Sequence, residues 1–133
     1  MWKRVDGMRA FGFGEPGDIR DELTSLVLAG DKTATAGVWR IDYEPEQEEI
    51  DTVGEQQVLL DSAEEPVAVI EITRVESHSF AEVPWELARD EGEGFESVED
   101  FRAGYRRYFA ARGVTLADDD LIICLWFRVV ERP

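Results

Sequence analysis

The residues best suited to chemistry are Lys32, Thr33 and Thr35, in the stretch Leu26-Val27-Leu28-Ala29-Gly30-Asp31-Lys32-Thr33-Ala34-Thr35. A lysine beside a hydroxyl can act as its general base where burial disfavours the ammonium. Serine–lysine and threonine versions of that arrangement occur on unrelated folds. Residues three apart on a straight strand face opposite ways. Lys32 and Thr35 therefore meet only if Lys32 lies in the turn after Gly30, or if a bulge intervenes. A Lys-Thr pair at a strand start is more often structural, so the reading needs a carboxylate partner. Glu91, ending a short helix before the flexible Gly92-Glu93-Gly94, could orient the lysine or shuttle a proton. Glu71, on a strand that reads as central, is its rival and could instead pair with Arg74.

Other residues suit binding. Trp39 and Tyr43 could offer flat faces to a nucleobase, although core packing is the commoner use of such rings. Thr33 adds a second hydroxyl to the rim, and Glu93 a second carboxylate. Arg102, Arg106, Arg107 and Arg112 cluster on one helix and could meet phosphate, or pair with acids and the helix dipole. Cys124 lies in an apolar run and reads as inert.

These residues need elements to hold them. Pro16-Gly17-Asp18 reads as a helix start with Asp18 as N-cap. Ile19, Leu23, Leu26 and Val27 form its buried face, and Gly30 its stop. A strand follows over Lys32–Trp39. Before the helix, Phe11-Gly12-Phe13-Gly14 reads as a loop anchored by its rings, with no Gly-Lys-Ser/Thr to make it a phosphate cradle. Residues 42–55 hold seven acids and read as a solvated loop or a mobile flap. Strands are predicted over Gln56–Asp61 and Pro66–Glu76. A short helix follows with Pro84 at its first position. A second helix, capped by Ser97 with Asp100 three residues on, runs to Gly113. Its buried stripe is Val98, Phe101, Tyr105, Tyr108 and Phe109. Gly104 inside it suggests a close helix crossing. Leu121–Val130 is apolar almost throughout and reads as a buried strand. Strands and helices in this irregular order predict an α+β fold with a small, curved or barrel-like mixed sheet flanked by helices.

Composition narrows the function. The 133 residues make one domain, spanning 1–133, and the 44% hydrophobic content suits a real core. One cysteine and one histidine, His78, exclude an internal disulfide and argue against a Cys/His zinc site. No metal or other cofactor is expected. No run is long enough to span a membrane and no signal peptide is evident, so the cytoplasm is the expected compartment. A net charge of −16 opposes tight binding of long nucleic acid, yet leaves room for a small nucleoside.

The stretch from Leu26 to Ala36 resembles the helix-to-strand motif of ASCH-domain proteins. So do Pro66–Val75, Glu91-Gly92-Glu93-Gly94 and Ile123–Val130 in theirs. The order and spacing match from about Phe11 to Val130. The resemblance implies a PUA-like fold, a partly closed β-barrel flanked by helices, and a link to RNA or modified nucleosides. Small bacterial ASCH proteins include amidohydrolases that deacetylate N4-acetylcytidine. Their Gly-x-Lys-Thr-x-Thr motif lands on Lys32 and Thr35, and their catalytic glutamate on Glu91. The resemblance thus implies that Lys32 activates Thr35 or water, while Glu91 orients the lysine and passes a proton. Thr33, Trp39, Tyr43, Glu93 and Arg102 are the substrate-binding candidates. The alternatives are a non-catalytic module for RNA or a modified nucleotide, and a metal-independent ribonuclease. Two positions depart from the family pattern: Phe95, where an aspartate is frequent, and Leu125, where a charged residue is common.

Overall fold

The computed structural model describes residues 1–132. In chain order these build β1 (Arg4–Val5), β2 (Met8–Phe11), α1 (Asp18–Ala29), β3 (Ala34–Val38), β4 (Gln56–Leu60), β5 (Pro66–Ser79), α2 (Trp85–Asp90), α3 (Val98–Ala110) and β6 (Leu121–Glu131). The strands form one mixed sheet in the order β1-β2-β4-β5-β6-β3. Only β2 and β4 run parallel. The fold is α+β, as the element order predicts, but the sheet does not close: β1 and β3 are its free edges. Long β5 and β6 pair along their lengths with register shifts at Val69/Ile70 and Ile72/Arg74. Such bulges bend a strand and increase its twist. None of the described helices is long and apolar enough to cross a membrane.

Side chains alternate across the sheet and feed a core on each face. Ile122, Cys124 and Trp126 of β6 point to one core, with Leu87 of α2 and Phe101 of α3. Ile123, Leu125 and Phe127 point to the other, with Phe13 and with Val27 of α1. Both faces of β6 are thus covered, which is why its sequence is apolar throughout. Phe80, Leu87 and Phe101 are 0% exposed, and burial of each contributes roughly 2–3 kcal/mol.

Several local expectations need correction. Asp18 is the first helical residue of α1, and Gly17 holds the cap position without a side-chain bond. Ile19 is 56% exposed, while Arg20 is buried in its place. The Arg20 guanidinium donates to the carbonyls of Phe13 at 3.1 Å and Gly14 at 2.6 Å. A Cβ at Gly12 would lie 2.6 Å from that guanidinium. The glycine-rich loop is therefore wrapped around an arginine, and this sets Phe13 on the core. Ahead of it, β1 and β2 form a hairpin that the sequence reading missed. Pro84 precedes α2 rather than opening it. Gly104 faces the Phe95 ring, 3.1 Å from where its Cβ would stand, and not a helix crossing. The Ser97 cap is as expected: its Oγ accepts the Asp100 N–H at 3.0 Å.

The acidic segment is only in part the solvated loop expected: Glu44, Glu46 and Glu49 are exposed, but two of its acids turn inward. Glu48 is 6% exposed and Asp51 4%. Asp51 accepts the Tyr43 hydroxyl at 2.6 Å and the Gln57 amide at 2.5 Å. Arg9 holds Glu55 through two bonds of 2.7 and 2.8 Å. It also lies 3.6 Å from Glu48 and 3.5 Å from Asp51. One arginine, its side chain 11% exposed, therefore gathers three of these carboxylates.

Candidate active site

The end of α1, the start of β3 and the end of α2 meet at the β3 edge. Gly30, at φ 84°, ends α1 in the left-handed conformation, and the N–H groups of Asp31 and Lys32 both turn back to the Leu26 carbonyl. The strand begins only at Ala34, so Lys32 and Thr33 lie in the turn. Thr33 joins this turn to α2: its N–H donates to the Asp90 carbonyl at 2.9 Å, and its hydroxyl to the same oxygen at 3.4 Å. Gly92, at φ 67°, completes the junction. A Cβ there would stand 2.1 Å from the Asp31 carbonyl oxygen. Only a residue without a side chain allows this approach.

The result buries a cation among acids. Lys32 is 2% exposed. Its Nζ donates to Glu93 Oε2 at 2.8 Å and to the Glu91 carbonyl at 3.4 Å. Glu91 Oε2 is 4.0 Å away, and the Phe13 ring lies 5.1 Å below. Glu71 is elsewhere, paired with Arg128 at 3.2 Å. The lysine's direct carboxylate partner is thus Glu93, with Glu91 behind it.

Glu91 is 0% exposed. Its Oε1 accepts the Tyr105 hydroxyl at 2.7 Å. Its Oε2 is buried and has no hydrogen-bond partner. Burial raises this carboxyl most. Lys32 opposes that, Glu93 adds to it, and the Tyr105 bond lowers it slightly. The outcome is a pKa of about 8. The group holds its proton at neutral pH. Burial, with the charges of Glu91 and Glu93, also keeps the Tyr105 phenol protonated. Cys124 is pushed up to about 12, first by burial and then by the Glu76 and Glu91 charges; its thiol is inert, as expected.

Thr35 is half-buried in β3, directly opposite Leu125 of β6. Opposed residues share a face, so the departure at Leu125 places an apolar wall beside Thr35. The departure at Phe95 has a packing role, edge-on to Phe101 at 5.5 Å. Past β3 the chain makes one wide turn, Trp39–Tyr43. Trp39 is half-buried, with its indole N–H on Glu44 at 3.1 Å. Tyr43 does not fit the role of base platform. It is 2% exposed, stacked under Trp39 at 5.7 Å and flanked by Trp2 at 5.0 Å. Arg102 does not fit phosphate binding either, because it donates to the carbonyls of Phe80 at 3.1 Å and Val83 at 3.4 Å. Two surface clefts, one by Gly14–Ile19 and Tyr108, the other among Arg4, Arg9 and Glu55, lie outside this cluster.

Sequence reasoning placed Tyr105 only on a helix stripe. Its spacing from Phe101 marks a buried face, and nothing local reveals that its hydroxyl meets a residue 14 positions earlier.

The ASCH domain family model matches residues 9–131. A solved protein from Enterococcus faecalis is 28% identical, with a TM-score of 0.78 over 92% of this chain and 76% of its own. An ASCH domain from Lactobacillus crispatus is 27% identical, with a TM-score of 0.76 over 92% of this chain and 79% of its own. An ASCH protein from Zymomonas mobilis shares the fold alone, at 12% identity and a TM-score of 0.52 over 84% of this chain and 66% of its own. No curated protein matches the chain. With its open mixed sheet, flanking helices and a family match across nearly its whole length, the chain belongs to the ASCH-domain family and carries a PUA-like fold.

Proposed function

We propose that this protein is a metal-independent amidohydrolase that removes an acyl group from the exocyclic N4 of a cytidine-type nucleoside. Lys32, Thr35 and Glu91 are its catalytic residues. The supporting observation is the Lys32–Glu93–Glu91 cluster, where a neutral carboxyl lies 4.0 Å from a buried lysine in the turn before the Thr35 strand. Lys32 first hands a proton to Glu93, 2.8 Å away. The free amine then takes the proton of the Thr35 hydroxyl, or of water, as that oxygen adds to the acyl carbon. Glu91 passes its proton to the departing nitrogen and the C–N bond breaks. With threonine as nucleophile, water then hydrolyses the acyl ester.

The Glu93 side chain, 24% exposed between two glycines, is the outermost member of the cluster and moves aside for substrate. Thr33 and half-buried Trp39 remain the binding residues at the rim. The net charge of −16 suits a neutral nucleoside better than a polynucleotide. RNA readings rest on the arginines on and just after α3, and three of these make bonds within the chain. Arg102 holds backbone carbonyls, Arg106 holds Asp118, and Arg112 holds the Tyr108 carbonyl.

The test is hydrolysis of N4-acetylcytidine by purified protein in the presence of a chelator, with Lys32→Ala alongside. We expect turnover that falls by about 10²-fold or more in the variant. No turnover by the wild type, or an unaffected variant, would overturn the reading.

A further inference from the structure

We propose that Tyr105 is a positioning residue that fixes which oxygen of Glu91 carries the proton, holding Oε1 as acceptor and leaving Oε2 toward Lys32 as the acid. The inference rests on the reading of Glu91 as proton donor, although its physical basis is independent of substrate. A neutral carboxyl has one hydroxyl and one carbonyl oxygen. Oε1 already accepts the phenol hydrogen at 2.7 Å. The proton therefore belongs on Oε2, the buried oxygen with no partner, 4.0 Å from Lys32 Nζ.

The elements around Glu91 bring four ionisable groups to it. These are Lys32 from the turn before β3, Glu93 from its own loop, Tyr105 from α3 and Cys124 from β6. Tyr105 hydrogen-bonds Oε1 of this carboxyl at 2.7 Å and is itself held by packing. Its ring lies 4.3 Å from Phe101 and 6.4 Å from Phe109. Its phenol stays protonated throughout the neutral range, so it keeps the hydrogen that it donates to Oε1. Without that bond Oε1 loses its donor, and nothing reserves Oε2 for the proton.

The phenol hydrogen also favours the charged carboxylate, which gives the test a direction. The Glu91 carboxyl would be titrated by isotope-edited NMR in three proteins, with Glu91→Gln used to assign the signal. They are the wild type, Tyr105→Phe, and a protein with 3-fluorotyrosine at this position. Tyr105→Phe keeps the ring but loses the donor, so the midpoint moves up by about one pH unit. The fluorinated phenol is a stronger donor in the same place, so the midpoint moves down. The alkaline limb of kcat/KM for N4-acetylcytidine follows the same two directions, with KM unchanged. A residue that merely fills space would move neither.

Equal midpoints in all three proteins would overturn the proposal. If Tyr105→Phe does not fold, the fluorinated protein decides alone, since it keeps both ring and hydroxyl. If the wild type hydrolyses nothing, the proposed function fails while the NMR midpoints still decide this inference.

Discussion

Replacing Glu91 by glutamine should make the protein more stable at alkaline pH, and the size of the effect follows from burial. The carboxyl is 0% exposed, and its pKa rises from 4.5 to about 8 on folding. Between those values the native state holds a proton that the unfolded chain has lost. Stability is therefore fully present below about pH 4.5, falls by about 1.4 kcal/mol per pH unit as pH rises, and levels off above about 8. The whole drop is about 5 kcal/mol, comparable with the total stability of many small domains. Glutamine has nearly the same shape, is neutral at every pH, and its carbonyl can still accept the Tyr105 hydroxyl. Glu91→Gln should match the wild type at about pH 5 and exceed it by several kcal/mol at about pH 9. Urea unfolding of both proteins across this range measures the difference directly, provided their m-values agree. A wild type whose stability is flat between about pH 5 and 8, or a variant that keeps the wild-type slope, would refute the reasoning.

Two further perturbations test the scaffold. Gly92→Ala places a Cβ 2.1 Å from the Asp31 carbonyl at φ 67°, so it should cost about 2–4 kcal/mol; Gly104→Ala, whose Cβ meets side chains alone, the Phe95 ring at 3.1 Å and Arg107 at 3.8 Å, should change urea stability much less, and equal losses would contradict the close approach at Gly92. Arg9→Met removes the cation over the Trp2 ring and the guanidinium that faces Asp51 and Glu55, while Glu48 keeps Arg4, for about 2–3 kcal/mol; protease cleavage within residues 42–55 should rise with it, and a loss under about 1 kcal/mol would mean that the segment is held by other contacts.

Much of the fold was legible because its signals are local. The Gly30 stop and the Ser97 cap each work within a few residues. The apolar run of β6 records burial on both faces. The spacing rule left Lys32 a turn or a bulge, and the structure puts it in the turn, although the strand was expected to begin at Lys32 and begins at Ala34. The acidic segment misled because acids usually mark water-exposed chain, and nothing nearby announces that Arg9 will gather three of them. Tyr43 and Arg102 misled in the same way. Flat rings and guanidinium groups serve ligands and cores alike, and burial decides which.

By itself the sequence determined the α+β class, the helix ends at Gly30 and Ser97, the central strands and, through its resemblance to ASCH domains, the family. Only the tertiary structure decided which carboxylates meet Lys32. Glu71 sits on a central strand as expected, yet it faces Arg128. Glu91 and Glu93, 59 and 61 residues from Lys32, reach it instead. That choice depends on the edge position of β3 and on the backbone contact at Gly92. The pKa of Glu91 has the same origin, because desolvation belongs to the packed surroundings and not to the residue.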